Sequence, residues 1–294
     1  MRRSPPVRTN ATDGVLLVDK PSGVTSHDVV AVARRALGIK RVGHTGTLDP
    51  FATGLLVLLV GRGTRLAQYV ADEPKVYDAT IVFGAETTTD DLTGEVTRDA
   101  ALPDPHDVDR AIDSLTGPLR QTPPDYSAKQ VAGRRAYAAA RAGAPLDLEP
   151  VPVLVHSWRI RRRTAAELDV TITCGRGTYV RALARDLGRA ASSAAHLTAL
   201  RRLRSGPFDV ADAVSLDELD VDRAAALRPL RLAIPQLPTH RLGDDDLKRI
   251  RHGNAIAARI DVPLAALLDA EENLVALARS DGGMLRPCLV MQDD

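Results

Sequence analysis

The chain has 294 residues, 44% hydrophobic and 26% charged, with a formal net charge of +1, enough for one large domain, or a large and a small one, around a sizeable core. Its longest apolar run, residues 55–60, is far shorter than a membrane-spanning helix requires, and the basic start MRRSPPVRTN lacks the apolar segment of a signal peptide, so a soluble, cytoplasmic protein with no membrane contact is expected. Two cysteines, Cys174 and Cys288, with no His or Cys at zinc-ligand spacing, argue against a disulfide framework and suggest no metal site.

Residues 1–13 read as a polar, proline-containing tail without periodicity, expected to be disordered. Residues 14–18 predict a short buried strand and 20–23 a turn. Ser26 is the expected cap of a helix whose apolar positions Val29, Val30, Ala33 and Leu37 keep helical spacing until Gly38 ends it. Residues 42–54 then combine three glycines, three threonines, a histidine and an Asp-Pro pair with no helical or strand period, the mark of a loop held in a specific shape. Strands are predicted over 76–83 and 168–174, the latter alternating Leu168, Val170, Ile172 and Cys174 with polar residues, so the sheet is antiparallel or mixed. A helix is expected over 108–115. The proline stretch 122–124 then opens a mobile basic insertion, about 122–148. A change of composition punctuated by Pro229, Pro235 and Pro238 places a domain boundary near Pro238.

The near-zero net charge conceals strong blocks: +6 over residues 1–70, −9 over 71–119, +9 over 120–210 and −5 over 211–294. If the two basic blocks share a face, that face suits a phosphate backbone. The candidate chemistry lies first at Asp49, an aspartate in a glycine-rich loop, able to act as nucleophile or base or simply to cap a turn at Pro50. His44 beside it suits acid–base work, metal binding, base stacking or a structural role. In CGRGTYVRALARDLGRA a strand gives way to a helix near Tyr179, which puts Arg181, Arg185 and Arg189 on one stripe. That stripe suits phosphates, a nearby carboxylate, or a solvated face shared with Asp186. Further basic runs lie at 159–163 and in HLTALRRLRSG. Tyr77 and Tyr179 are scarce aromatic candidates for stacking a base in a chain only 3% aromatic. Two other functions fit the residues: an RNA-binding or RNA-folding protein without chemistry, and a small-molecule enzyme using 61–65 as a phosphate loop, although that loop lacks a Walker ending.

In order along residues 14–208 stand GVLLVDKPSGVTS, RVGHTGTLDPFATGLL, KVYDA, GRGTYVRALARDLG and HLTALRRLRSG. This set resembles the TruB family of tRNA pseudouridine synthases. The resemblance implies an α/β (mixed α+β) fold: a catalytic domain over 14–237 around a large mixed sheet, the insertion acting as an RNA-binding thumb, and a small β-rich C-terminal domain over 238–294 of PUA-like or accessory RNA-binding type. It implies isomerisation of the uridine at position 55 in the tRNA T-loop, by base flipping, with no cofactor or metal, and a monomer whose partner is the tRNA T-arm. Residue by residue, it makes Asp49 the catalytic aspartate and Arg181 its ion-pair partner. Tyr77 stacks on the target base, Tyr179 and Leu200 line the pocket, and His44 holds the rearranged T-loop. Lys20 and Arg65 take basic positions near the site, Arg65 where some relatives carry lysine.

Overall fold

The computed structural model describes residues 13–292 apart from 128, 132–133, 145, 222–225, 259 and 261. The expected tail lies outside the described residues except for Asp13, whose carboxylate accepts from the Arg62 backbone N–H at 2.6 Å. Several residues of the expected insertion also lie outside them.

A ten-stranded mixed sheet organises most of the chain. The apolar strand Thr53–Val60, TGLLVLLV, is buried along seven of its eight residues, as a strand covered on both faces must be. Gly14–Lys20 lies antiparallel on one side of it. On its other side it meets Ala195–Ser205 in parallel, with Arg202 opposite Gly54. From there the sheet continues antiparallel through Lys75–Phe83, Glu167–Cys174, Val151–Arg163 and Gly117–Gln121. The alternating burial of Lys75–Phe83 and Glu167–Cys174 follows the period-two pattern of their sequences. The predicted loop 42–54 is shorter than expected: Val42–His44 forms a strand against Thr53–Val60, and the irregular part is confined to 45–52.

Two helices cover the sheet. Ser26–Leu37 starts one residue earlier than a Ser26 cap would place it. The cap is Thr25, joined with Asp28 in a reciprocal capping box, which frees Ser26 for a different role described below. This helix buries Val29, Val30 and Ala33 against Leu16, Val18, Leu56 and Leu58. Val180–Ala190 buries Leu183, Ala184 and Leu187 in a second cluster with Tyr77, Ile81, Leu197 and Leu200. A third helix, Pro105–Ser114, begins earlier than the expected 108 because Asp104 caps it and Pro105 occupies its first turn.

Residues 239–290 build a separate five-stranded sheet. One face holds its own helix, Asp244–Arg251, through Ile250, Leu267 and Leu285. The other places Ala266, Leu268, Leu274 and Leu277 in one apolar cluster with Val15, Leu17, Leu55 and Val57 of the large sheet. The C-terminal sheet therefore leans on the back of the strands that carry the 45–52 loop.

Gly54 is a tight point of this arrangement. Its φ is +98°, and a Cβ placed there would come within 2.3 Å of the Arg202 carbonyl oxygen. Gly54→Ala combines left-handed backbone strain with overlap against backbone that cannot swing away. A loss of about 3 kcal/mol or more is expected in urea unfolding, and a change under about 0.5 kcal/mol would contradict it.

Candidate active site

The 45–52 loop is held from below by side chains that satisfy its backbone polar groups. Ser26 Oγ accepts from the Leu48 N–H at 2.9 Å and lies 3.1 Å from the Leu48 carbonyl. Lys20, fully buried, donates from Nζ to the carbonyls of Pro21, Val24 and Pro50 at 2.9, 2.8 and 3.2 Å. Burial lowers its ammonium pKa to about 8 against the pull of Asp49. From the other side, Arg202 donates Nε to the Leu55 carbonyl at 2.7 Å and its terminal nitrogens to Gly46 and Thr47 at 3.1 and 3.4 Å. A loop with its carbonyls so fully claimed has one shape.

That shape presents Asp49 to Arg181, 132 residues away in sequence. The guanidinium meets the carboxylate as a fork, Nη2 to Oδ1 at 2.9 Å and Nε to Oδ2 at 2.9 Å, the geometry in which arginine outperforms lysine. Arg181 is further fixed by the carbonyls of Thr89 and Tyr126, both at 2.9 Å, and by Asp91 at 3.5 Å. Asp91 is itself oriented by Thr89 Oγ1 at 2.7 Å and the Thr93 N–H at 2.9 Å. The Asp49 side chain keeps 33% of its surface exposed whereas that of Arg181 keeps 5%. The carboxylate is thus the accessible half of the pair. Burial pushes the Asp49 carboxyl above the ordinary range, with Asp91 adding to the effect, and Arg181 pulls it back.

Asp49 opens into a cavity of about 240 Å³. Tyr77, Leu48, Val180 and Leu200 give it apolar walls, and Ser127 and Tyr179 line it as well. Gln121 fixes Tyr179 through both backbone groups, accepting from its N–H at 2.9 Å and donating to its carbonyl at 3.1 Å. Burial raises the hydroxyl pKa of both tyrosines. A small cavity, apolar on part of its wall and with one accessible carboxylate, suits nucleophilic or proton-transfer chemistry on a single ring system.

Of the residues singled out in the sequence, Asp49, Tyr77, Tyr179, Arg181 and Leu200 meet at this cavity. Lys20 lies beneath the loop and supports it. His44 sits on the strand leading into the loop, edge-on to His27 with ring centroids 5.7 Å apart. Its Nδ1 is buried and unpartnered among the described residues, and burial lowers its pKa. Arg65 is not brought to the cavity: its guanidinium donates to the Val290 carbonyl at 2.8 Å, because the Gly61–Leu66 turn faces the C-terminal sheet. The same turn offers no phosphate cradle. The Gly61 N–H already bonds Arg41, and Gly63 packs on Gly14 and Leu230.

The sequence reading missed Arg202, Lys75, Asp91 and Ser127. A signal for Arg202 existed: once HLTALRRLRSG is read as a strand, period two places Leu200 and Arg202 on one face, and both are buried. Of the arginine stripe, Arg181 and Arg185 are internal while Arg189 stays exposed, and Arg185 and Arg189 are ion-paired. Arg185 pairs with Asp90 at 2.8 Å and Arg189 with Glu86 at 2.6 Å. Together with Arg161–Asp78 and Arg163–Asp109, these pairs set part of the basic block 120–210 against the acidic block 71–119. Among the described residues no group of three or more His, Cys, Asp or Glu side chains is gathered as a metal site, and no helix is long and apolar enough to cross a membrane.

Burial outweighs the Arg185 ion pair at Asp90 and pushes its carboxyl up to about 6. A folded-state value above the unfolded one stabilises at low pH and is lost as pH rises from the ordinary carboxylate range through 6. Asp90→Asn removes this dependence. The variant is expected to gain on the parent by roughly 1–3 kcal/mol between about pH 4 and 6.5 and to stay level above that. Urea midpoints over that range measure it, and parallel curves would refute the assignment.

The large mixed sheet, with its carboxylate loop facing an arginine helix, is the architecture of a pseudouridine synthase. The solved structure of a Cbf5-Nop10-Gar1 complex superposes with a TM-score of 0.72 at 24% identity, covering 96% of this chain and 85% of that one. A structure of an H/ACA RNP bound to a substrate RNA gives 0.71 at 22% identity, covering 95% and 85%. The TruB family pseudouridylate synthase N-terminal domain matches residues 34–180, and the tRNA pseudouridylate synthase B C-terminal domain matches 181–230. The tRNA pseudouridine synthase B of Thermobifida fusca is 44% identical, over 95% of this chain and 98% of its own length. That of Mycobacterium tuberculosis is 39% identical over 95% and 96%. The chain belongs to the TruB family of pseudouridylate synthases. It is therefore an isomerase, of the family that makes pseudouridine in tRNA.

Proposed function

We propose that this chain converts the uridine at position 55 of the tRNA T-loop to pseudouridine, with Asp49 as the reactive carboxylate. The observation that carries this reading is the fork between Asp49 and a nearly buried Arg181 at a cavity that Tyr77 and Leu200 also line. A uridine stacked in a folded loop cannot reach that carboxylate, so the nucleotide leaves its stack and enters the cavity, where Tyr77 and Leu200 contact the ring. The N1–C1′ bond breaks, the uracil turns, and C5 joins C1′; the proton on C5 leaves and N1 takes one up. Asp49 serves as nucleophile toward the sugar or the ring, or as base toward a sugar proton, and Arg181 keeps it ionised. His44 supports the T-loop from which the nucleotide is extruded. In this reading residues 14–237 form the catalytic unit and 238–294 an accessory one, a division supported by the separate C-terminal sheet.

The test is to incubate the purified chain with an unmodified tRNA transcript and map pseudouridine by chemical labelling. A single modified uridine in the T-loop is expected. Modification at another position would overturn the site assignment, and tight binding without any pseudouridine would overturn the activity.

A further inference from the structure

The cavity is lined by three cations, Lys75, Arg181 and Arg202, around one carboxylate. Two of the three are spent on the protein itself. Arg181 serves Asp49, Asp91 and two carbonyls, and Arg202 serves three carbonyls. Lys75 differs. Its ammonium carries three donors, and among the described residues the one hydrogen bond recorded for it goes to Asp72 Oδ2 at 3.0 Å. It stands at the first residue of the strand Lys75–Phe83, opposite both Cys174 and Ser205. Its Nζ would lie 3.8 Å from a Cβ on Gly46, three residues before Asp49. A compact ammonium on a flexible stem, already resting against a carboxylate oxygen, is suited to exchange that oxygen for another anionic one.

Resting on the proposal that a tRNA nucleotide enters this cavity, we infer that Lys75 binds the backbone phosphate of that nucleotide, with Asp72 holding the same ammonium when no RNA is present. A nucleotide in the cavity carries its phosphates with it, and Asp49 adds a further negative charge. Among the three lining cations Lys75 alone is not buried, Arg181 and Arg202 being 4% and 2% exposed, and its ammonium keeps donors to meet them. Asp72 lies three residues before Lys75, so the exchange needs only a side-chain rotation.

The experiment measures tRNA affinity of the full chain against salt concentration, in an Asp49→Asn background so that no turnover intervenes. Lys75→Gln is expected to weaken binding about tenfold at moderate salt and to flatten the slope of log Kd against log salt by about 0.7 to 1, one phosphate contact. Lys75→Arg should keep the slope. Asp72→Asn, which frees the ammonium, should tighten binding. An unchanged slope in Lys75→Gln, or weaker binding in Asp72→Asn, would overturn the inference. Pseudouridine mapping with the unsubstituted chain runs alongside: failure there strikes the T-loop reading, whereas failure of the slope alone strikes only Lys75.

Discussion

Asp49→Asn is expected to abolish pseudouridine formation, by about 10³-fold or more, while tRNA affinity stays within a few-fold of the parent. Asparagine keeps the shape and still accepts from Arg181 through its amide oxygen, so the loop, pinned by Ser26, Lys20 and Arg202, should not move. What disappears is the carboxylate that attacks or takes the proton. The protein should also survive the change, because Arg181 retains Asp91 and the Thr89 and Tyr126 carbonyls. Single-turnover pseudouridine assays beside filter-binding measurements separate the two quantities. Normal product formation would remove Asp49 from the chemistry, and a parallel collapse of binding would make its role structural.

Arg181→Leu carries the largest expected effect on stability. It leaves Asp49 and the nearly buried Asp91 facing each other without their shared cation, and orphans two carbonyls. Breaking one side of a buried pair costs about 3–5 kcal/mol. The pH dependence has a definite sign. Without the guanidinium that pulls it back, the Asp49 carboxyl becomes still harder to ionise in the folded state, so its folded-state value rises further above the unfolded one. The remaining stability is then highest where Asp49 is protonated and falls as pH rises through and beyond the ordinary carboxylate range. Urea unfolding at about pH 5 and pH 8 should show the gap to the parent widening with pH, and a penalty independent of pH would mean that lost packing rather than charge is responsible. Arg181→Lys keeps the cation but cannot form the fork, so it should recover much of the stability and little of the activity.

Local signals carried a good part of this architecture. The helix at 26–37 was readable from its apolar spacing and the glycine that ends it. The strand at 167–174 was readable from its alternation, because side chains on opposite faces of a strand meet core and solvent in turn. Boundaries shifted where a neighbouring residue made the better cap, as Thr25 did over Ser26 and Asp104 did for the next helix. Asp49 itself was legible as an aspartate in a loop with no period, and the family motif around it supplied the rest.

Other features depend on partners far away in the chain. Arg65 belonged near the site by what the family resemblance implied, yet its turn faces the C-terminal sheet and it bonds Val290, 225 residues on. Arg202 stood in a basic run with no role assigned to it, yet it lies opposite Gly54 in the parallel pairing of two strands of the large sheet and is 2% exposed. The basic and acidic blocks were correctly located, but their meaning changed when the sheet set them against each other as Arg161–Asp78, Arg185–Asp90 and Arg189–Glu86.

By itself, then, the sequence determined the helix at 26–37, the strands over 14–18, 76–83 and 168–174, the shaped loop carrying Asp49 and the presence of an arginine-bearing helix, because each follows from residues within a few positions of one another. Only the tertiary structure decided the fork by which Arg181, the partner the family resemblance implied, grips Asp49, that Arg202 and Lys20 hold the loop from inside, and that Lys75 keeps donors to spare. Those facts are set by strand order and register, which place side chains more than a hundred residues apart within 3 Å, and no local periodicity encodes them.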